Sequence, residues 1–198
     1  MADVTYSTVI IANLPYFKVV FIIAKNEGKR FEDAFIKSVP DYVLTKRLND
    51  NASSWAGGTN TRFTSENECD YILFNDHTRT FYGLELKSTK HSSLTFWRED
   101  FESKDKKQTF QIRKCQIQGL EKWSRHTGVF GFVINFRDSG NKTYFVDICS
   151  FLDYTSSLSK KSINKDDILK MNPIEIENKL MRTNYHYDME KFFKETTC

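Results

Sequence analysis

Cys69-Asp-Tyr-Ile-Leu-Phe-Asn-Asp-His-Thr-Arg-Thr-Phe-Tyr-Gly-Leu-Glu-Leu-Lys87 reads as a β-hairpin. Its apolar, β-branched and aromatic stretches, 69–74 and 80–86, flank Asn75-Asp76-His77-Thr78, which is turn chemistry. Symmetric pairing about that turn sets residue 70 opposite residue 85. Side chains alternate along a strand, so Glu85 and Lys87 share one face, and Asp70 falls on that same face. Opposed carboxylates repel unless something positive lies between them, and a divalent cation and the Lys87 ammonium are the natural candidates. The hairpin is apolar on both sides: Ile72, Phe74 and Phe81 on one, Tyr71, Leu73, Leu84 and Leu86 on the other. Both sides need covering, which predicts a central sheet.

Working outward, Glu27 to Val39 carries Phe31, Ala34, Phe35 and Val39 at helical spacing, and Pro40 stops it. Residues 42–48 alternate as a strand. A polar stretch from Asn49 to Glu68 follows, with Gly57-Gly58 and isolated Trp55 and Phe63; a loop of that length inside a domain is either functional or a disordered surface segment. After the hairpin, a charged connection leads to a helix predicted from about Thr109 to Arg125, with Ile112, Gln116, Leu120 and Trp123 on one face. Residues 128–136 and 142–148 read as two further strands, and the remainder as short helices closing the fold. The order helix, strand, hairpin, helix, strand, strand is that of an α/β domain.

The 198 residues make one domain of ordinary size, with an apolar N-terminal arm of unknown role over 1–26 and the domain proper over 27–198. The net charge is only +3, but residues 87–126 hold ten Lys and Arg against five Asp and Glu, which suits a polyanionic partner. The alternative is that Lys104, Lys106 and Lys107 merely solvate a loop beside its own acids. Cys69, Cys115, Cys149 and Cys198 lie 34 to 49 residues apart, fitting neither a zinc site nor a disulfide framework and pointing to a reducing cytoplasm. Pro15 and Lys18 interrupt the apolar run 9–24, which makes it a poor membrane span or signal peptide. The four histidines have no ligand spacing.

Two carboxylates with open coordination positions suit Mg²⁺, or Mn²⁺, and phosphodiester chemistry, because hard cations take oxygen ligands and keep several waters. Asp70 and Glu85 would hold the ion, the Leu86 carbonyl would add a ligand, and Lys87 would orient the attacking water or stabilise developing charge. Glu32, next to the apolar stripe of the first helix, is either a further acid of the site or a solvated helix residue. Gln116 is either a site residue or a satisfied core glutamine.

Beyond that constellation, Gly28-Lys-Arg-Phe-Glu32, Asn67-Glu-Cys-Asp-Tyr-Ile-Leu-Phe74, Tyr82-Gly-Leu-Glu-Leu-Lys-Ser-Thr89, Cys115-Gln-Ile-Gln-Gly-Leu120, Gly131-Phe-Val-Ile-Asn-Phe136 and Tyr144-Phe-Val-Asp147 occur in this order. Together they resemble the PD-(D/E)XK nuclease superfamily, and within it the RecU-type Holliday-junction resolvases of Gram-positive bacteria and their phages. The resemblance covers residues 27 to 148. It implies a restriction-endonuclease-like mixed central β-sheet flanked by helices, a homodimer, and Mg²⁺-dependent resolution of four-way DNA junctions by paired nicks in recombination and repair. Carried over by position, Asp70 and Glu85 correspond to the metal carboxylates, Lys87 to the transition-state stabiliser, Gln116 to the motif glutamine near the ion, and Glu32 to the helix glutamate. DNA contacts are expected from Lys29, Arg30 and Lys90, and from Arg62, Trp55 and Phe63 in a junction-entering loop. Two features depart from the family pattern: Glu68 stands two before the aspartate, where a small hydroxyl residue is common, and the gap from Glu85 to Gln116 is long, with residues 98–107 as a charged insertion. The rival readings are a same-fold nuclease acting on another DNA substrate, and a catalytically idle DNA-binding protein.

Overall fold

The structure, a computed structural model, describes residues 26–48, 67–101 and 110–197. The apolar arm up to residue 25, the loop residues Trp55, Arg62 and Phe63, and residues 102–109 of the charged connection lie outside them. The side chain of Asn26 caps α1 (Glu27–Lys37) by accepting the N–H groups of Gly28 and Lys29 at 3.1 and 3.3 Å.

Six strands form a mixed sheet flanked by helices. In spatial order they are β1 (Val43–Arg47), β2 (Tyr71–Asn75), β3 (Thr80–Thr89), β5 (Val129–Phe136), β6 (Lys142–Asp147) and β8 (Ile174–Glu175), with β4 (Ser93–Thr95) outside the sheet. All neighbours run antiparallel except β3 and β5, which are parallel. A parallel pair needs a crossover, and α2 (Lys114–Trp123) lies on it.

The hairpin register is the one its sequence predicts: Asn75 pairs with Thr80 and Tyr71 with Leu84, so the next position outward sets Asp70 against Glu85. The turn closes because Asn75 Oδ1 accepts the His77 and Thr78 N–H groups and Arg79 takes the left-handed conformation at φ 56°. Both sheet faces are covered, as the two-sided apolar pattern requires. Tyr71, Leu73, Leu84 and Leu86 pack with Phe31 and Phe35 of α1, and with Phe192 and Phe193 of α5 (Met189–Thr196). Phe132, Ile134, Ile72 and Phe81 pack with Ile117 and Leu120 of α2, and with Phe151 of α3 (Ile148–Ser156).

Two expectations need correction. The helix predicted from Thr109 begins only at Lys114, because Ile112 is taken into extended pairing: its N–H donates to Thr95 and its carbonyl accepts from Trp97. The C-terminal third is not helices alone. Besides α3, α4 (Lys165–Leu169) and α5, it supplies β7 (Ser162–Asn164) against β4, the sixth sheet strand β8, and a small hairpin of β9 (Asn178–Leu180) and β10 (Tyr185–Tyr187). These strands are two or three residues long, too short for alternation to register.

Candidate metal and phosphodiester site

Glu85 and Lys87 alternate with Leu84 and Leu86, whose side chains face α1, so the acid and the amine face α2. Phe132 and Ile134 are their ladder neighbours on β5, and both are fully buried. Glu85 is itself only 1% exposed. Its Oε1 lies 2.7 Å from Lys87 Nζ and accepts a hydrogen bond from Gln116 Nε2. Gln116 is the third residue of α2, and its amide oxygen accepts the Arg113 N–H at 2.8 Å, satisfying one of the helix's orphan donors. One side chain thus starts the helix and aims a second bond at the acid.

Asp70 sits one residue beyond β2. Its Oδ2 accepts the Leu86 N–H at 2.9 Å, and its carbonyl accepts the Leu48 N–H at 2.8 Å. Among the described residues these hydrogen bonds engage one oxygen of each acid, Asp70 Oδ2 and Glu85 Oε1, with Asp70 Oδ1 and Glu85 Oε2 as the other hard oxygen donors at opposed positions. Burial pushes the Glu85 carboxyl up to about 8; Lys87 pulls it down, and Asp70 pushes it further up. A carboxyl in that state gives up its proton when a second positive charge arrives. The donor set therefore fits a hard divalent cation that keeps most of its waters. Among the described residues no group of three or more His, Cys, Asp or Glu is arranged to hold a metal.

Glu32 is not gathered into this group. It lies on α1, whose packing face covers the opposite side of the sheet, and its Oε2 accepts from Lys29 at 3.3 Å and from Arg47 at 3.1 Å. Arg47 lies over the Tyr71 ring, 5.9 Å from its centroid. Of the expected DNA-contacting residues, Lys29 is paired with Glu32 and Asp33, Arg30 lies 3.4 Å from Glu27 and donates to the Thr183 carbonyl, and Lys90 is exposed at the end of β3.

Glu68 packs its side chain across α2 where Gly119 leaves room: a Cβ there would come within 2.2 Å of the Glu68 Cγ. The Cys69 thiol is buried, donates to the Tyr71 carbonyl, and is driven well above its ordinary pKa by burial and then by Glu85, so it stays a neutral thiol. Arg113, which electrostatically favours the charged form of Glu85, is a neighbour that the spacing of acids did not reveal. The long gap before Gln116 does not prevent contact: on the way to α2 the described residues make β4 and the Ile112 pairing.

No helix among the described residues is long and apolar enough to cross a membrane. No model of a known protein family matches the sequence. Among solved structures, the chain is similar to Hjc, a Holliday junction resolvase from Archaeoglobus fulgidus, at 14% identity and a TM-score of 0.43, over 74% of this chain and 93% of that one. The SPbeta prophage-derived uncharacterized protein YotM of Bacillus subtilis (strain 168) is 30% identical over 182 residues, which cover 85% of each chain. At that identity and coverage the chain belongs to the same family as YotM.

Proposed function

We propose that the chain is a metal-dependent endodeoxyribonuclease of the PD-(D/E)XK kind, acting as a RecU-like homodimeric resolvase of four-way DNA junctions in recombination and repair, with residues 27–198 as the nuclease domain. One observation carries the reading: on adjacent antiparallel strands Asp70 and Glu85 oppose each other, each with one oxygen held and one available, and Lys87 lies 2.7 Å from Glu85 on the same face. A bound Mg²⁺ or Mn²⁺ would acidify a coordinated water and take up charge on the phosphodiester. Asp70 Oδ1 and Glu85 Oε2 would supply the protein ligands. Gln116, with its oxygen already on the Arg113 N–H, keeps Glu85 from rotating away. Lys87 holds its ammonium beside the acid until a scissile phosphate takes its place as the partner, and then donates to the phosphoryl oxygen that gains charge. Cys69 and Cys149 are free thiols, in keeping with action in a reducing cytoplasm.

The test is cleavage of a labelled four-way junction beside matched linear duplex, with Mg²⁺ or with chelator, by wild type and Lys87→Ala. Paired, near-symmetric nicks that require both metal and Lys87 are expected. Cutting of linear duplex without junction preference would keep the site and overturn the substrate. Tight DNA binding with no cleavage under any metal would overturn the enzyme.

A further inference from the structure

Across the sheet from Glu85, a cavity of about 230 Å³ opens between α1, the end of β5 and the residues leading into β10. Arg30, Arg137, Asn135, Asn141, Asn184 and Tyr185 line it, with Glu27 beside Arg30. The buried amides are engaged with one another. Asn135 Nδ2 donates to Asn141 Oδ1 at 3.0 Å and to Thr143 Oγ1 at 2.9 Å, Asn135 Oδ1 accepts from Ser88 Oγ at 2.9 Å, and Asn141 Nδ2 donates to Asn178 Oδ1 at 3.3 Å. They make a stiff floor, not a set of waiting donors.

Arg137 is different. Its Nε is buried without a hydrogen-bond partner, and the side chain makes no ion pair among the described residues. A buried donor on a permanent cation is costly unless something outside the protein completes it. Arg30 is held in the same cavity by its bond to the Thr183 carbonyl, 2.6 Å long, and is only partly neutralised by the exposed Glu27 at 3.4 Å. Two guanidiniums against one carboxylate leave the cavity positive, and their forks match phosphate oxygens. A second cavity shares Arg30, Ala34 and Asn184 with the first and adds Lys37, together with Lys29, which Asp33 and Glu32 already neutralise. From Arg30 to Lys37 the helix rises about 10 Å. The cationic track is therefore longer than one anion, as a strand of phosphates requires.

We propose that this cavity binds a phosphate group of the nucleic-acid strand, one that the strand carries round the end of the sheet, away from the phosphate presented to Lys87. Asn135, in its floor, is the ladder partner of Ser88, the residue after Lys87, so the two places are joined through one hydrogen-bonded pair across the end of the sheet. The strand as the source of the phosphate rests on the nuclease reading; the anion chemistry of the cavity does not.

The experiment reads binding in chelator, so that cleavage plays no part. Junction DNA affinity is measured against salt for wild type, Arg137→Gln and Arg137→Lys, and inorganic phosphate binding is followed by ³¹P line broadening. Arg137→Gln is expected to make the log–log salt slope shallower by about 1 and to abolish the phosphate broadening, with part of each restored in Arg137→Lys. Arg137→Met keeps the stem and removes the unpaired donor, so its melting temperature should equal or exceed that of wild type. An unchanged salt slope and unchanged broadening, or a lowered melting temperature with an unchanged slope, overturns the proposal. Lost broadening with an unchanged slope overturns the strand contact and leaves a pocket for small phosphate esters. If junction cleavage holds while the slope does not move, only this cavity fails. If no metal supports cleavage while the slope does move, the nuclease reading fails and the cavity stands.

Discussion

Two buried acids in this molecule have a lysine beside them and opposite fates. At the corner of β7 and α4, Asp167 is 4% exposed, lies 2.5 Å from Lys160 Nζ, and accepts hydrogen bonds from the Asn164 N–H at 2.8 Å and the Tyr154 hydroxyl at 2.9 Å. Burial alone would raise its pKa, but Lys160, Asn164 and Tyr154 together outweigh burial and hold it below the usual carboxylate range. On β3, Glu85 has Lys87 and Gln116 on one oxygen and the Asp70 charge nearby, and burial wins. Proximity to a lysine is common to both. The number of remaining donors separates them: Asp167 is saturated by its own protein, and Glu85 is left with capacity for a ligand.

The largest expected effects fall on chemistry at the β3 acid. Lys87→Ala should lower metal-supported cleavage by roughly 10²–10³-fold, by analogy with loss of one transition-state donor, while the melting temperature moves little. Asp70→Asn and Glu85→Gln should abolish metal-dependent cleavage and the thermal stabilisation by added Mg²⁺. At the other acid the loss should be structural: Asp167→Ala is expected to cost roughly 2 kcal/mol in denaturant unfolding, because it leaves the Asn164 N–H and the Tyr154 hydroxyl without their acceptor, and to leave DNA cleavage per folded molecule intact.

Titration sharpens the contrast further. Glu85 has a raised folded-state pKa, so between its ordinary value of 4.5 and about 8 the native state holds a proton that the unfolded state has lost. Its contribution to stability is therefore full below that window and is lost as pH rises through it. Asp167 has a lowered pKa, so its contribution is present above its ordinary 3.8 and is lost as pH falls through its folded value. Metal-free unfolding followed against pH should show Glu85→Gln removing the decline toward pH 8 and Asp167→Asn removing part of the acid limb. Mg²⁺ should stabilise the wild type more at pH 8 than at pH 6, because at the lower pH its binding must first expel the Glu85 proton. The smallest change is expected from Gln116→Ala, about 1 kcal/mol of stability from the lost cap and core bond, with cleavage reduced but not abolished.

The hairpin and its carboxylate pairing were legible in the sequence because both rest on local rules: a turn, a two-residue alternation, and symmetry about the turn. The covering of both sheet faces was legible for the same reason, from Tyr71, Leu73, Leu84 and Leu86 against Ile72 and Phe81. The start of α2 was not, since Ile112 continues the helical stripe and only its pairing with Thr95 and Trp97, fixed by tertiary contact, removes it from the helix. The same holds for Arg137. Nothing in its own neighbourhood marks it; its loneliness comes from what residues far away in sequence, on α1 and around β10, fail to offer. Glu32 could be read either way from sequence, because helical spacing gives the face of α1 but not which side of the sheet that helix will cover; here it is paired with Lys29 and Arg47.

Gly119 has a consequence for tolerance. By letting the Glu68 side chain lie across α2, it registers the chain entering Asp70 against the same helix whose third residue holds Glu85. Both acids thus lean on one helix, and a Cβ at position 119 would fall within 2.2 Å of the Glu68 Cγ, so Gly119→Ala is expected to push on the chain entering Asp70 without touching any atom that does chemistry.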